Sequence, residues 1–506
     1  MEHLLETRGL GKCFGTFWAN RNINFHLDKG EIISLLGENG AGKTTLMNML
    51  YGLYKPSQGS ILIDGKECDV KSPKVAIDSG ISMVHQHFML VDSLTVVENI
   101  IVGNEPEKGH RLDMDGAVKK VTQLSEKYGL DVNPKAEVGD LSVGEKQRVE
   151  LLKALYNDCR ILILDEPTAV LTPSEVVAFF AVLRKLREAG TGIILISHKL
   201  KETLEIADRI YIMRNGEMTG EADPKTSTVD SLSELMVGRP LSSSVDKFDY
   251  PDSSVVLSFR DVSYTEESTK LEKISGVTLS VKKGQILGIA GVDGNGQTEL
   301  IDLAIGLKKP SSGSVVYLDE DISLLGAGKR IRKGIGYISE DRQTKGLVTA
   351  FDLEENLILG YQRDSRFSKK GIIDWKKVKD STEKVIEGYD VKCTGVNEHA
   401  ALLSGGNQQK LIIGRVLESD PNVIIAAQPT RGVDIGAIEY IHRKLVDMRN
   451  RGKAILLISA DLDEIMKLSD DIAVIYEGRI VSDAPNGKYT KTELGLFMTG
   501  GKTDEV

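Results

Sequence analysis

Two glycine-rich segments have the residue types and the spacing that hold a phosphate group. Residues 37–44 fit the pattern G-x-x-x-x-G-K-[ST], and residues 291–298 repeat it with Gln297 in place of the lysine. Glycines in such a loop let backbone N–H groups turn toward phosphate oxygens, and the following helix points its positive end at the same anion. Lys43 would add charge for the β- and γ-phosphates, and Thr44 would offer its hydroxyl to magnesium. The candidate nucleotide-binding residues of the first loop are Gly37, Glu38, Asn39, Gly40, Ala41, Gly42, Lys43, Thr44 and Thr45.

Four polar residues downstream of the first loop extend this chemistry. Asp165 and Glu166 follow an apolar run at residues 160–164, where an unpaired charge would be costly. We expect Asp165 to hold magnesium through water and Glu166 to orient and deprotonate the attacking water. His198 follows a second apolar run and is a candidate contact to the γ-phosphate; the alternative is a structural histidine. Gln86, after the strand-like residues 81–84, is a candidate magnesium sensor. The catalytic candidates are Glu166, His198 and Gln86, and the metal candidates are Thr44, Gln86 and Asp165.

The chain contains this set of positions twice. Lys43 and Gln297 are 254 positions apart, and so are Gln86 and Glu340. Later in the chain the separation becomes 262, so one small insertion separates two copies. A period near 250 residues is far longer than the roughly 20 to 50 of a solenoid repeat, and it indicates a duplicated domain. The pairs at the second separation are Ser142–Ser404, Asp165–Ala427, Thr168–Thr430, His198–Ala460 and Met236–Met498.

The second copy lacks most of the reactive groups of the first. Besides Gln297, it has Glu340 at the Gln86 position, Ala427–Gln428 at the Asp–Glu position and Ala460 at the histidine position. A glutamine cannot accept a proton as a general base, and losing such a base costs about 10² to 10⁴ in rate. The sequence therefore predicts one competent centre per chain.

The elements that must position these residues are strands alternating with helical patterns, which predicts a mainly parallel α/β core. Each copy begins with an amphipathic strand-like stretch, at residues 23–36 and 277–289, and continues into a helix at 44–51 and 298–307. A helical pattern at 116–128 predicts an inserted helical subdomain. The predicted organisation is a first domain at 1–240, a polar linker at 241–253 and a second domain at 254–506.

Composition limits the possible partners and compartments. The formal net charge of −10 over 506 residues argues against nucleic acid as a partner, because binding it requires clustered Lys and Arg. Four scattered cysteines have no metal-ligand or C-x-x-C spacing, which favours structural thiols in a reducing compartment. No apolar run approaches the roughly 18 to 20 residues of a membrane span, and the N-terminus is unlike a signal peptide. We expect a cytosolic protein without a transmembrane segment of its own.

Residues 141–145 and 403–409 resemble the signature motif of ABC-type ATPases. With the phosphate loop, Gln86, Asp165–Glu166 and His198, the resemblance covers essentially the whole chain. It implies an α/β fold with two tandem P-loop ABC nucleotide-binding domains, each having a mainly parallel α/β core, an antiparallel β subdomain and a helical subdomain. It also implies that each ATP lies between the phosphate loop of one domain and the signature motif of the other, with Mg²⁺ as second cofactor.

In that family arrangement, site one joins the complete first core to the second signature motif. The residues contributed by the second copy are Ser404, Gly405, Gly406 and Asp434, and Phe14 is placed like the aromatic that stacks on adenine, with a core phenylalanine as the alternative. Site two would join the incomplete second core to an irregular signature, which has Val143 for a glycine and Thr172 at the Asp434 position. It is predicted not to turn over nucleotide. Its candidate binding residues are Gly294, Gly296, Gln297, Thr298, Ser142 and Gly144.

The uneven duplication is similar to a narrower group, the fused ATPase subunits of bacterial importers for simple sugars and nucleosides. Residues 337–342 and 429–434 match that group, and residues 84–90, 294–297 and 426–429 resemble its nucleoside branch. The resemblance implies two transmembrane permease subunits, an indirect link to a substrate-binding lipoprotein and a peripheral position at the cytoplasmic face of the bacterial cell membrane. Residues 87–97 and 342–353 would form the permease contact, with the apolar residues 88–91 suited to a partner helix. Packing within the chain is the alternative for those four residues.

Two other kinds of protein fit part of the pattern. A simple-sugar importer has the same layout with a different cargo. Soluble ABC proteins without membrane partners also have two copies, but they would be expected to show a long charged linker, two competent sites or zinc-binding cysteines, and the sequence shows none of these. A purely regulatory nucleotide sensor is disfavoured by the full set of catalytic residue types in the first copy.

Overall fold

The computed structural model describes residues 3–501 except residues 86–87, 109–110, 169–170, 172, 198, 241–245, 249, 251–252 and 293. The contacts divide the chain into two compact units, Met1–Leu241 (unit 1) and Ser242–Val506 (unit 2). The domain boundaries at residues 240 and 254 stay a prediction.

Unit 1 contains twelve strands and eight helices among its described residues. The strands are β1 (Leu5–Phe14), β2 (Phe17–Leu27), β3 (Ile32–Leu36), β4 (Gln58–Ile63), β5 (Lys66–Glu67), β6 (Ile81–Val84), β7 (Glu107–Lys108), β8 (Arg111–Leu112), β9 (Ile161–Asp165), β10 (Gly192–Ile196), β11 (Arg209–Arg214) and β12 (Glu217–Ala222). The helices are α1 (Lys43–Leu50), α2 (Pro73–Asp78), α3 (Val96–Ile101), α4 (Met114–Tyr128), α5 (Val143–Tyr156), α6 (Pro173–Glu188), α7 (Leu200–Ile206) and α8 (Val229–Val237).

The central sheet of unit 1 has the order β12-β11-β3-β10-β9-β6, and all its neighbours are parallel except the β11–β12 pair. A second sheet, β2-β1-β4-β5, is antiparallel. Helices α3 and α4 both pack on α5. The predicted α/β class, with its parallel core, antiparallel sheet and helical part, is confirmed.

The central strands are apolar on both faces because both faces are covered. In β9, Leu162 and Leu164 pack toward α3 to α6, whereas Ile161 and Ile163 pack toward α1 and the antiparallel sheet. Alternate residues of a strand point to opposite faces, so a strand buried on both sides becomes a continuous apolar run. The charged residue that ends β9, Asp165, therefore lies at the edge of this core.

The stretch at residues 23–36, predicted as one strand-like segment, forms two strands of different sheets. β2 belongs to the antiparallel sheet and β3 to the central sheet, and Gly30, with φ of 67°, lies in the turn between them. A left-handed residue ends strand pairing locally, and glycine adopts it at little cost. The helices predicted at 44–51, 116–128 and 298–307 are present with bounds shifted by one or two residues, as α1, α4 and α9 (Gln297–Ile305).

Unit 2 repeats this arrangement. Its strands are β13 (Val255–Thr265), β14 (Glu272–Lys282), β15 (Ile286–Ala290), β16 (Ser312–Tyr317), β17 (Glu320–Asp321), β18 (Ile335–Ile338), β19 (Ser368–Lys369), β20 (Ile372–Ile373), β21 (Val423–Ala427), β22 (Ala454–Ser459), β23 (Asp471–Tyr476) and β24 (Arg479–Pro485). Its helices are α9 (Gln297–Ile305), α10 (Ala327–Arg332), α11 (Leu353–Leu357), α12 (Trp375–Gly388), α13 (Gly405–Leu417), α14 (Ile435–Asn450), α15 (Leu462–Leu468) and α16 (Lys491–Met498). The central sheet has the order β18-β21-β22-β15-β23-β24, and the antiparallel sheet has the order β14-β13-β16-β17.

The described residues of the predicted linker pack against unit 2. Lys247 Nζ donates to Ser469 O at 2.8 Å and lies 3.4 Å from Asp470 Oδ1. Arg449 donates to Phe248 O and pairs with Asp470 at 3.1 Å. These side-chain contacts attach the segment to the surface of unit 2.

Candidate functional site: two nucleotide-binding cores and two signature helices

The phosphate loop of unit 1 joins β3 to α1, and its glycines are required by backbone conformation. Gly40 and Gly42 have φ of 83° and 98°, in the left-handed region that favours glycine. A Cβ at Gly42 would lie 2.5 Å from Ala19 O, so a side chain there would also clash. The loop can therefore curl so that α1 starts with its free N–H groups at the loop.

Lys43 lies across this loop as the first residue of α1. Its Nζ donates to Gly37 O at 2.6 Å and to Glu38 O at 2.9 Å, and the side chain is 8% exposed. Thr44, the next residue, is exposed. The structure thus places an ammonium group and a hydroxyl group together at the start of one helix.

Asp165 and Glu166 lie at the end of β9. Burial, with the neighbouring Glu166 carboxylate, raises the pKa of Asp165, and the nearby Lys43 ammonium opposes that shift. Glu166 has φ of 47°, and its N–H donates to Ile196 O at 2.9 Å, which anchors it beside the end of β10. The fold therefore brings Lys43, Asp165 and Glu166 into one charged cluster.

Phe14, the candidate base-stacking residue, is 45% exposed and is not a core side chain. Its ring makes an edge contact with Tyr54 at a centroid distance of 5.4 Å, and Lys12 Nζ lies 5.2 Å from its centre. Tyr54 was not recognised in the sequence, because it neighbours Phe14 only through the packing of β1 against the loop before β4.

The signature segment of unit 2 lies close to Asp434 of the same unit. Ser404 is the N-cap of α13, and Asn407 donates from Nδ2 to Ser404 Oγ at 2.9 Å. A Cβ at Gly406 would lie 2.8 Å from Asp434 Oδ2, so glycine allows these segments to approach each other closely. Helix α13 begins at Gly405, so both glycines belong to its first turn. Three of the predicted residues, Ser404, Gly406 and Asp434, are close together.

The signature segment of unit 1 is chemically different. Ser142 caps α5, but its hydroxyl donates to the carboxylate of Glu145 at 2.7 Å, and the Ser142 N–H donates to the same oxygen at 2.9 Å. These bonds lower the pKa of Glu145 and hold a negative charge at the helix N-terminus. Val143 is 45% exposed at the position of Gly405. The helix end that could attract a phosphate already has an anion.

The core of unit 2 has neutral groups at the reactive positions of unit 1. Gln428 has φ of 45°, nearly the value at Glu166, and its Oε1 accepts from Ala460 N at 3.2 Å and Ser459 Oγ at 3.4 Å. Gln297 begins α9 and is 7% exposed. Gly294 and Gly296 have φ of 93° and 105°, and Thr298 lines the same cleft. The backbone of a phosphate site is kept, while its charged residues are lost.

The segment after the Gln86 position is held by residues that the sequence analysis missed. The side-chain amide of Asn99 makes two hydrogen bonds to the backbone of Val91. It donates to Val91 O at 3.0 Å and accepts from Val91 N at 2.8 Å. Asn356 makes the same pair with Val348 at 3.0 and 2.9 Å. The repeat of an asparagine after 257 positions is the signal that would have indicated a shared role.

Signature helices contact the same segments. Lys153, on α5, donates to Met89 O at 3.0 Å, and the matching Arg415, on α13, donates to Gly346 O at 2.7 Å. In unit 1, Glu150 on the same helix accepts from Met89 N at 2.6 Å. A displacement of a signature helix would therefore be transmitted to the loop beside it.

The apolar residues predicted to meet a partner divide into two groups. Met89 and Val91 are 60% and 50% exposed, whereas Leu90 packs against the core of unit 1. In unit 2, Val348 and Phe351 are 39% and 38% exposed. Among the predicted site residues, Gln86 and His198 lie outside the described part of the chain, as do His87 and Thr172.

In the described part of the chain, no helix is both long enough and apolar enough to cross a membrane.

Comparison with known proteins shows the family. A model of the ABC transporter family matches residues 20–169 and 274–431. The nucleoside import ATP-binding protein NupA of Lactococcus lactis subsp. cremoris is 46% identical over 504 residues, which cover 100% of this chain and 99% of that protein. The guanosine import ATP-binding protein NupO of Bacillus subtilis is 46% identical over 506 residues, with the same coverage of both chains. A glucose import ATP-binding protein of Haloferax volcanii is 39% identical over 532 residues, covering 99% of this chain and 96% of that protein. The chain therefore belongs to the ABC transporter family, as an ATP-binding ATPase with two such domains in tandem.

Proposed function

We propose that this ATPase powers the import of nucleosides through membrane permeases. The observation that carries the proposal is the uneven retention of chemistry: the Lys43, Asp165 and Glu166 cluster is present in unit 1, and its counterparts in unit 2 are neutral. An energy-coupling subunit needs one centre that hydrolyses ATP. The cargo is supported by 46% identity to nucleoside and guanosine import proteins over the whole chain, against 39% for a glucose import protein.

ATP would be bound at unit 1 by its phosphate loop. The N–H groups of the loop and of the first turn of α1 point toward the phosphate chain, and Lys43 Nζ exchanges its loop carbonyl partners for phosphate oxygens. The exposed Phe14 ring, with Tyr54 beside it, offers an aromatic face to the base. The phosphate loop would thus bind the phosphates, and strand β1 would provide the aromatic ring that stacks on the base.

The donor set of unit 1 fits magnesium. The Thr44 hydroxyl, the Asp165 carboxylate and, from the sequence, the Gln86 amide are hard oxygen ligands of the kind that Mg²⁺ prefers. Asp165 is 9% exposed, and a buried carboxylate is stabilised in its ionised form by a nearby cation. When bound, Mg²⁺ would neutralise charge that develops on the phosphates.

Hydrolysis at unit 1 requires a base, which we assign to Glu166. Its backbone is held in a left-handed conformation by the bond to Ile196 O, so its side chain has few alternative positions. Glu166 would orient the attacking water and accept its proton, and His198 would contact the γ-phosphate and the water. We further propose that Ser404, Gly405, Gly406 and Asp434 complete this centre, with the N–H groups of α13 directed at the γ-phosphate.

Site two, built on the core of unit 2 and on Ser142 and Gly144, is proposed not to hydrolyse nucleotide. Gln428 cannot accept a proton, and its amide oxygen already accepts from the Ser459 hydroxyl and the Ala460 N–H. The Glu145 charge at the N-terminus of α5 would also repel a γ-phosphate. One ATP would be hydrolysed per cycle.

Two transmembrane permease subunits are the proposed partners, with a substrate-binding lipoprotein linked indirectly. The exposed Met89 and Val91 in unit 1 and Val348 and Phe351 in unit 2 would meet them. Because Lys153 and Arg415 bond to these segments from the signature helices, nucleotide-dependent movement of a helix would reach the permease contact. The chain would then lie at the cytoplasmic face of the cell membrane.

Uptake measurements test this proposal. Cells would carry the wild-type chain, Glu166→Gln or the control Glu188→Gln, which changes an exposed glutamate at the end of α6. Radiolabelled guanosine, uridine and ribose are the probes. We expect guanosine and uridine uptake to fall by about 10² or more in Glu166→Gln and to stay unchanged in the control.

The alternatives give different results in the same experiment. Uptake of ribose alone would mean that the cargo is a simple sugar rather than a nucleoside. The glucose import relative makes simple sugars the second candidate cargo. If no probe enters the cells in a Glu166-dependent way, the import proposal is wrong. Co-purification of two membrane proteins with the wild-type chain, lost on Met89→Asp, would separate an importer from an ABC ATPase without membrane partners.

A further inference from the structure

None of the roles assigned to unit 2 uses its short hairpin of β19 and β20. Lys369 pairs with Ile372, so two residues form the turn between these strands. The two residues, Lys370 and Gly371, have φ of 50° and 83°, and positive φ at both positions is what a tight type I′ turn requires. The hairpin therefore has one defined shape, with an exposed lysine in its turn.

One side of this hairpin is attached to the rest of unit 2. Ile373 packs against the buried Phe367 and Val378, and Asp374 N donates to Phe367 O at 2.8 Å. Neighbouring residues of a strand point to opposite faces, so Ile372 points away from this small cluster. The packed side thus supports the residues on the other side of the hairpin.

The hairpin and the start of α12 expose two large apolar residues. Ile372 is 76% exposed, and Trp375, the first residue of α12, is 48% exposed. Single apolar residues are common on protein surfaces, but an aliphatic and an aromatic residue within four positions form a patch suited to contact. Covering this patch with a partner would remove apolar area from water.

Positive charge surrounds these two residues. Residues 363–380 contain seven Lys and Arg against three Asp, in a chain whose formal net charge is −10. Lys369, Lys370 and Lys376 are exposed and form no salt bridge with any residue that the structure describes. A surplus of positive charge remains although three of the four carboxylates at 363–383 are paired, as Asp364–Arg366 at 2.8 Å, Asp374–Lys377 at 3.7 Å and Glu383–Lys379 at 3.9 Å.

The corresponding hairpin of unit 1, formed by β7 and β8, has different chemistry. The N-cap aspartates of α4 and α12 are 261 positions apart, so residues 102–119 match residues 363–380. Residues 102–119 contain four acidic residues against three Lys and Arg, with Arg111 at the position of Ile372 and Asp115 at that of Lys376. The fold itself therefore does not require the basic and apolar surface of unit 2.

An anionic lipid bilayer is the partner that fits both properties of this surface. Tryptophan is enriched where a membrane meets water, because its ring is apolar and its N–H needs a polar partner. Lysines beside such residues are attracted to negatively charged headgroups, and their long stems let the ammonium group reach the phosphates. Because the chain as a whole is acidic, an anionic surface would repel most of it and attract this hairpin.

We infer that the β19–β20 hairpin and the start of α12 bind an anionic lipid bilayer directly. Ile372 and Trp375 insert at the level of the headgroups, and Lys369, Lys370 and Lys376 bond to lipid phosphates. This contact holds unit 2 at the membrane in addition to any contact with a permease. The inference goes beyond the import proposal, because the contact needs neither a permease nor a transported substrate.

Co-sedimentation of the full chain with protein-free vesicles tests the inference. We expect binding to vesicles of phosphatidylglycerol and phosphatidylcholine in equal parts, and much weaker binding to vesicles of phosphatidylcholine alone. The triple variant Lys369→Gln/Lys370→Gln/Lys376→Gln should bind the anionic vesicles about 10² more weakly, because it loses three cations near the lipid surface. Raising the salt concentration should weaken the wild-type binding as well, since ions screen this attraction.

The matched control lies on the hairpin of unit 1 and the helix after it. Lys108→Gln/Arg111→Gln/Lys119→Gln also removes three exposed cations. It should change binding to the anionic vesicles less than about twofold. Neither triple variant touches the phosphate loops, so ATP binding equal to that of the wild-type chain shows that both variants are folded.

Tryptophan fluorescence locates the contact. The chain has two tryptophans, so Trp375 is the only one in a Trp18→Phe variant. We expect its emission to shift to shorter wavelength when anionic vesicles are added, because the indole leaves water for the headgroup region. Vesicles of phosphatidylcholine alone should give little shift, and the triple variant of unit 2 should lose the shift.

Three results would overturn the inference. These are an absence of binding to the anionic vesicles, equal losses of binding in the two triple variants, and sedimentation with the vesicles without any change in Trp375 emission. Binding to inverted membranes of the producing cells but not to protein-free vesicles would assign the hairpin to a membrane protein and would also overturn it. None of these measurements follows nucleoside uptake, so the import proposal is tested separately.

Discussion

At the scale of residues, charged side chains that are partners in the core of unit 1 are replaced together in the core of unit 2. Lys43 and Asp165 are both nearly buried and stabilise each other's charge in unit 1, and both are replaced by uncharged residues in unit 2, Gln297 and Ala427. A glutamate at a second pair of matching positions has different partners in the two units. Glu202 pairs with Lys199 at 3.0 Å in unit 1, whereas the matching Glu464 bonds to His442 at 3.0 Å, and His442 stands where unit 1 has Phe180. A buried charge without a partner is costly, so partners are lost or replaced together.

This pairing predicts non-additive stability for Lys43 and Asp165. Asp165→Ala would remove one carboxylate near the Lys43 ammonium, and Lys43→Gln would remove the cation that favours the ionised form of Asp165. The double variant, which copies unit 2, should be more stable than the sum of the single variants indicates, by about 1 kcal/mol. Urea unfolding of the four chains measures this coupling. Strict additivity would contradict it.

At the scale of elements, the end of the helix after each phosphate loop is stabilised differently. In unit 2, the fully buried Arg330 of α10 donates to Leu303 O at 2.6 Å and Ala304 O at 2.8 Å, in the last turn of α9. It also donates to Leu325 O and Ile322 O at 2.9 and 2.7 Å. Burial lowers the pKa of Arg330 to about 10, so it stays charged at neutral pH. Unit 1 has Ala76 at this position and no such clamp.

Replacing this arginine should destabilise unit 2. Arg330→Met leaves several buried carbonyl groups without donors, and each costs about 1 to 3 kcal/mol, so we expect a loss of about 3 kcal/mol or more. Calorimetry should show a lowering of one unfolding transition by about 6 to 12 °C. Arg332→Met, an exposed residue on the same helix, is the matched control. Equal effects of both changes would disprove the role of the clamp.

At the scale of the whole molecule, we propose that the two units divide the chemistry of one ATPase. Unit 1 has the Lys43, Asp165 and Glu166 cluster and a signature helix with the Glu145 carboxylate at its N-terminus, whereas unit 2 has uncharged residues at the matching core positions and a signature helix that begins with two glycines. Each unit by itself has half of the residues that the family arrangement requires. Fusion in one chain keeps the complementary halves at high effective concentration.

A substitution in the signature segment of unit 2 should therefore stop hydrolysis by the core of unit 1. In Gly405→Glu the added Cβ lies 3.3 Å from the end of the Arg342 side chain, which must shift by a few tenths of an ångström to accommodate it. It places an anion at the N-terminus of α13, and we expect ATP hydrolysis to fall by about 10² to 10³. Val143→Glu, at the matching exposed position of unit 1, should change the rate less than about twofold. Equal losses from both variants, or none from either, would contradict the proposed division.

Residue types and their spacing were enough to predict the chemistry and the class of fold. Phosphate loops, the Asp–Glu pair and the signature segments are local patterns, and buried parallel strands are continuous apolar runs, so both could be identified without tertiary contacts. The separations of 254 and 262 positions between the copies also showed which reactive positions of the first copy have no counterpart in the second. These features depend on residue types and spacing, which a linear chain contains completely.

Which distant groups contact each other became clear from the packing of the elements. The bonds of Asn99 and Asn356 to the loops before them, the clamp of Arg330 on α9, and the arrangement of Arg342 over the Arg431–Gly432 turn join residues that no sequence pattern links. The structure also split residues 23–36 between two sheets and placed the linker residues against unit 2. Such contacts depend on how elements pack, and packing is set by many weak interactions across the chain rather than by neighbours in the sequence.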